Sequence, residues 1–133
     1  MFKAISSSRL AALPARIHHH HRSLSVSATA NAAKNQFIVI ARDFTDPEAF
    51  TRRLNVRPKH LVDAKELKKS GKLQIGGALL TDHSESGKMI GSIMIFQAED
   101  AEEVRQLVEK DYYVTDKVWE HYQILPFRSA DLS

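Results

Sequence analysis

The sequence predicts an α+β fold of the ferredoxin-like type, a βαββαβ sandwich expected to pair with a second copy as a dimeric α/β barrel. Three observations carry this. Between Gln36 and Phe127 six segments follow the order strand, helix, strand, strand, helix, strand. Both helical segments carry start or stop signals of their own. The strands are apolar on both sides. Two right-handed βαβ units in that order give a four-stranded antiparallel sheet with both helices on one face. The other face would be polar if it met water. Instead Phe37, Val39 and Ala41 alternate with Ile38 and Ile40, and Ile93 and Ile95 alternate with Met94 and Phe96. A two-fold related copy of the same sheet is the expected cover; long loops folded over the face of a monomer are the other arrangement the pattern allows.

Taken in order, "QFIVIAR" is a short β-branched apolar run ending at charge, a first strand. "RPKHLVDAKELKKSG" places Leu61, Ala64 and Leu67 on one helical face. Pro58 suits its first turn and Gly71 its C-terminal cap. "KLQIGGALL" and "MIGSIMIFQA" form a hairpin across the polar loop "TDHSESGK". In "EDAEEVRQLVEK", Asp100 is a candidate N-cap, Glu103 its capping-box partner, and Val104, Leu107 and Val108 face inward. "EHYQILPF" closes the sheet as a fourth strand. No internal repeat longer than the βαβ symmetry is visible.

The first 34 residues stand apart. Lys3, Arg9, Arg16, Arg22 and Lys34 occur there without one carboxylate, the first being Asp43. An arginine- and serine-bearing start of this kind is the composition of a mitochondrial transit peptide, and "HRSLSVS" resembles a processing site; a disordered basic tail is the alternative. The expected organisation is therefore a leader over 1–34, one domain over 35–128 and a short tail over 129–133. Without the leader, 14 basic residues face 16 acidic ones, so the net positive charge of the full chain does not argue for a nucleic-acid partner. His18 to His21 fall inside the leader and read as filler.

A chain of 133 residues, 43% hydrophobic, suits one core. It has no cysteine, which removes disulfides, thiolate metal sites and cysteine nucleophiles. No apolar run approaches the roughly 18 residues of a membrane span, and a soluble protein is expected.

Histidine, carboxylate and hydroxyl chemistry is what is left. In the predicted topology the start of the first helix and the end of the second share one rim. His60, in the first turn of the one, and Asp111, just past the other, should meet there. The loop from Thr81 to Lys88, His83 and His121 map to the same rim, without a ligand geometry that would define a metal site. A carboxylate on one imidazole nitrogen fixes the tautomer and leaves the other nitrogen free to move a proton. Replacing a first-turn histidine should cost the core little. Serine hydrolysis is not supported, because Ser92 lies in a strand and no nucleophile elbow is present. "GSIMIF" lacks the basic and aromatic residues of an RNA-stacking strand. On spacing alone, His60 and Asp111 also read as ordinary helix-end residues.

The segments "RRLNVRPKHL", "QIGGALL", Gly91-Ser92, "AEDAEEV" and "KDYYVTDKVWEHYQILPF", in that order, resemble the YciI-like (YCII-related) family over almost all of Gln36 to Phe127. The resemblance implies a ferredoxin-like dimeric α/β barrel and an active site whose His-Asp pair maps to His60 and Asp111. It further suggests proton transfer, of lyase or isomerase type, on a small cyclic or anionic substrate without a metal or organic cofactor. Arg57, Gly77 and Ser92 are the candidate substrate contacts, Arg57 for an anionic group. A non-catalytic small-molecule-binding or regulatory homodimer would use the same pocket; filling of that pocket by Tyr112 and Tyr113 would favour it. Two departures stand out: the family usually has "DPY" where this chain has Asp111-Tyr112-Tyr113, and a glycine-proline where it has Gly77-Ala78.

Overall fold

The computed structural model describes residues 35–133. The predicted leader, its processing site and His18 to His21 lie outside them. The elements run β1 (Asn35–Asp43), α1 (Ala49–Lys69), β2 (Leu73–Leu80), β3 (Met89–Ala98), α2 (Ala101–Glu109), α3 (Tyr112–Thr115) and β4 (Trp119–Phe127). The sheet order is β2-β3-β1-β4, every neighbouring pair antiparallel. This is the ferredoxin-like α+β sandwich, the fold class of the dimeric α/β barrels.

The two-sided apolar pattern separates cleanly by register. Phe37, Val39 and Ala41 of β1 and Met94, Phe96 and Ala98 of β3 are buried beneath the helices. Ile38, Ile40, Ile93 and Ile95 take the other parity and look away from them. Leu125, Ile38, Ile95 and Ile75 line up across all four strands. The ends of that row, Ile75 and Leu125, are exposed in the single chain.

Of three register shifts in the sheet, the two at the starts of β2 and β4 move core side chains from one face to the other. An extra residue, Glu120, in β4 and another, Gln74, in β2 shift the register at the strand starts. One inserted residue reverses the facing of everything before it. Trp119 and Leu73, which strict alternation would turn outward, are therefore buried on the helix side.

Helix α1 starts two turns earlier than its sequence suggested. Asp46 Oδ1 accepts from Glu48 N–H at 3.1 Å, and both Asp46 oxygens accept from Arg52 at 2.7 Å. That ion pair holds the Asp46 carboxyl down at about 2. Pro58 consequently lies inside the helix, where it forfeits a backbone hydrogen bond. The buried stripe is Ala49, Arg53, Val56 and His60, continued by the half-buried Ala64 and Leu67. His60 is thus a mid-helix residue, not a first-turn one.

The other ends match their signals. Gly71 adopts φ +79, and Lys72 N–H to Leu67 O at 3.0 Å with Gly71 N–H to Lys68 O at 3.2 Å completes a Schellman cap. Asp100 accepts from Glu103 N–H at 2.9 Å, while Glu103 reaches back to Glu99 N–H rather than to the cap residue itself. The short α3 was not anticipated from the sequence. No helix among the described residues is long and apolar enough to cross a membrane.

Candidate active site

Asp111 and His60 meet. Asp111 is the N-cap of α3, its Oδ1 accepting from Tyr113 N–H at 2.8 Å. The same carboxylate lies 2.8 and 3.0 Å from His60 Nδ1. The family's proline would occupy the position of Tyr112, the first residue of the short helix. A residue at that position has no intrahelical N–H bond to lose or keep, so tyrosine there leaves the cap geometry unchanged. With Nδ1 committed to Asp111, Nε2 is the nitrogen left to act.

His60 is walled by aromatic rings. It stacks on Tyr113 with centroids 3.8 Å apart and planes at 14°, and meets Trp119 edge-on at 6.0 Å. On the far side of this cluster, Arg53 donates to both oxygens of Asp43 at 2.8 and 3.0 Å and to Ser92 Oγ at 2.9 Å. Its guanidinium carbon lies 4.6 Å from the Tyr113 centroid. Arg53 is 2% exposed, and a buried pair of this kind is costly to break from one side. Burial pushes the Asp43 carboxyl above its usual value, while Arg53 pulls the other way. Trp119 Nε1 also donates to Ser92 Oγ, at 3.2 Å. Both lone pairs of the serine oxygen are therefore taken, and its own O–H is what it can still offer.

His60 borders a cleft of about 460 Å3 between α1 and the edge of the sheet. The cleft exists because the helix-facing positions of β2 and β3 below it are small: Gly76, Ala78 and Ser92. A methyl group at Gly76 would only touch Leu73 and Met94, at 3.7 and 3.8 Å, so larger side chains are what would fill the space. Arg57, Gly77 and Ser92, the predicted contacts, all line the cleft, as do Arg53, Tyr113, Lys65 and Lys68. Its lining contains no carboxylate. Asp111 lies outside it and opens instead on the opposite side of α1, beside Asp63, Glu66 and Lys110.

Two expectations change. The Thr81–Lys88 loop does not border the cleft; Lys88 sits over Phe50 near the start of α1, about 15 Å along the helix from His60. His60, His83 and His121 do not gather, and no three His, Asp or Glu side chains converge among the described residues. Tyr113 packs beneath His60 without filling the pocket. Arg53, Asp43 and Trp119 belong to the site without a signal in the sequence that marked them, and Tyr113, a candidate to fill the pocket, is part of its wall.

A ferredoxin-like chain with a His-Asp pair at the edge of a small, cation-lined cleft is by architecture a protein with an enzyme-like small-molecule site. Residues 36–128 match the YCII-related domain, and the chain belongs to that family. Over 99 residues it is 31% identical to Fusaric acid biosynthesis protein 2 of Gibberella moniliformis, covering 71% of this chain and 93% of that one. It is 32% identical over 100 residues to Aspartate kinase FUB3 of Fusarium oxysporum f. sp. lycopersici, but spans only 18% of that protein's length. A solved structure, 5-chloro-2-hydroxyhydroquinone dehydrochlorinase of Burkholderia phenoliruptrix in complex with 2,5-dihydroxybenzoquinone, matches with a TM-score of 0.63 and 25% identity. That match covers 71% of this chain and 95% of the other.

Proposed function

We propose that this protein is a proton-transfer enzyme of the lyase or isomerase type, acting on a small cyclic, anionic substrate with its own side chains. The observation that carries the reading is the orientation of His60: Nδ1 is held by Asp111 at 2.8 Å while the ring borders the cleft. In this scheme Nε2 takes a proton from substrate carbon, and Asp111 stabilises the imidazolium that results. Arg57 and Lys65, exposed, lining the cleft and without a carboxylate partner among the described residues, suit an anionic group. The dehydrochlorinase complex, whose ligand is an oxygenated ring, supports the substrate class.

The row of Leu125, Ile38, Ile95 and Ile75 supports a homodimer joined through the open sheet face. The leader's composition supports a mitochondrial location; N-terminal sequencing of the mature protein, beginning between residues 24 and 34, would bear this out, and an intact Met1 in a mitochondrial fraction would not.

The reaction is tested by incubating the protein in D2O with a panel of cyclic ketones, lactones and hydroxyquinones and following carbon-bound hydrogen by NMR. Catalysed exchange is expected for at least one compound, and none with His60→Gln. Binding without exchange across the panel would favour the non-catalytic binding dimer.

A further inference from the structure

The Tyr113 ring is 1% exposed and is gripped on both faces by α1. His60 stacks at 3.8 Å and the Arg53 guanidinium carbon lies 4.6 Å from its centroid. Arg53 and His60 are seven residues apart, roughly 10.5 Å along the helix, which leaves room for one ring between them. Trp119 closes its edge at 5.4 Å.

Its hydroxyl nonetheless has no hydrogen-bond partner among the described residues. Arg53 Nε is the only sealed side-chain polar atom without a hydrogen-bond partner among the described residues. The Tyr113 hydroxyl, which also has no such partner, therefore keeps an opening, and Tyr113 lines the cleft. A buried phenol with nothing to bond would be an orphan of the kind protein interiors avoid. One that opens on a ligand cleft has a use for its proton.

We propose that the Tyr113 hydroxyl is a second ligand-facing catalytic group, donating a hydrogen bond to the substrate oxygen on which charge collects when His60 takes a proton from the adjoining carbon. This rests on the proton-transfer reading above. In the step, His60 Nε2 accepts the C–H proton, and the electrons of that bond become the C=C bond of an enolate. The carbonyl π pair moves onto oxygen. Tyr113 O–H bonds to that oxygen and keeps its proton; the abstracted proton stays on the imidazolium beside Asp111. Burial raises the phenol above its usual value, outweighing the pull of Arg53 and Arg57, so the group is a donor at neutral pH. Ser92, in the same wall, has only its own O–H left to offer. Hydroxyl donors beside one basic nitrogen suit a ring with a carbonyl or enolic oxygen next to an acidic C–H.

The test is Tyr113→Phe, which keeps the ring, the stack and the fold and removes one oxygen. The probe is 2,5-dihydroxybenzoquinone, followed by calorimetry, with exchange on the D2O panel measured in parallel. The Phe variant is expected to bind the probe roughly tenfold or more weakly, as for loss of a hydrogen bond to an anion, and to slow exchange while its melting temperature holds. Wild-type affinity and exchange in the Phe variant would overturn this inference and leave the role of His60 standing. Absence of both probe binding and exchange in the unsubstituted protein would overturn both. Should the variant fold poorly, tyrosine labelled with 13C at Cζ in the unsubstituted protein gives the same answer: a Tyr113 signal that does not move when the probe is added sinks the proposal.

Discussion

Replacing Asp111 separates what the carboxylate does for the fold from what it does for His60. Its Oδ1 caps α3 through Tyr113 N–H and faces His60 Nδ1, each at 2.8 Å, and the side chain is 12% exposed. Asp111→Ala removes the cap, worth about 1 kcal/mol, and strands a nearly buried imidazole N–H, worth about 1–3 kcal/mol. The expected loss is therefore about 2–4 kcal/mol, a large part of the roughly 5–15 kcal/mol that holds a domain together. Asp111→Asn behaves differently. Asparagine caps as well as aspartate, and its carbonyl oxygen can still accept from both donors. Stability should fall by less than about 1 kcal/mol, while proton transfer drops by the 10²–10⁴-fold typical of a general acid/base unit, because the imidazolium has lost its counter-charge. Urea denaturation gives the first quantity and D2O exchange the second. If the Asn variant exchanges at the wild-type rate, Asp111 is a helix cap that happens to touch a histidine.

Three further outcomes follow from the fold. Ile93→Glu places a charge at the centre of the open sheet face, opposite Ile40, and should turn a dimer into a monomer by light scattering; a monomeric unsubstituted protein at micromolar concentration would contradict the assembly. Asp46→Ala should lower the melting temperature at neutral pH. A carboxyl held low in the folded state stabilises above its ordinary value of 3.8 and stops doing so as pH falls through about 2, so the gap between variant and wild type should close over that interval. Pro58→Ala restores a helix-interior N–H at an exposed position and should stabilise the protein, by up to about 3 kcal/mol less the entropy the proline removed from the unfolded chain; a lower urea midpoint would show that α1 depends on its proline.

Strands and the second helix were legible because their signals are local. Apolar runs end at polar turns, Asp100 caps three residues ahead of Glu103, and Gly71 takes the left-handed position a Schellman cap needs. The start of α1 was not legible for a physical reason. Its buried stripe carries Arg53 and His60, so the periodicity of buried positions is not a periodicity of apolar residues, and Pro58 looked like a beginning. "DPE" at Asp46 to Glu48 was the available signal: an aspartate followed by proline and glutamate at a helix entrance. The bulges at Gln74 and Glu120 left no trace in composition, yet they bring Leu73 to the cleft and Trp119 to Ser92.

His60 and Asp111 could be brought together from topology because strand and helix directions alone place them at one end. How firmly His60 is held could not. As a first-turn residue it would have been cheap to remove; as a buried residue packed on Tyr113 and Trp119 it is not, and His60→Ala would confound fold with function. His60→Gln, which keeps most of the volume, is the informative change. Arg53 was not legible, and Tyr113 only as a candidate pocket-filler, because an arginine on a helix and a tyrosine after one are ordinarily surface and core; only the observed stack sets Arg53 and His60 against the same Tyr113 ring.

In the proposed site, Asp111 takes one nitrogen of His60 and leaves the other free at the cleft. 15N NMR of the protein labelled at histidine, recorded at a pH where the ring is neutral, reads this directly. Nδ1 should carry the proton, and the bare Nε2 resonance should move when 2,5-dihydroxybenzoquinone is added. A proton on Nε2, or an Nε2 signal indifferent to a probe that calorimetry shows to bind, would contradict it.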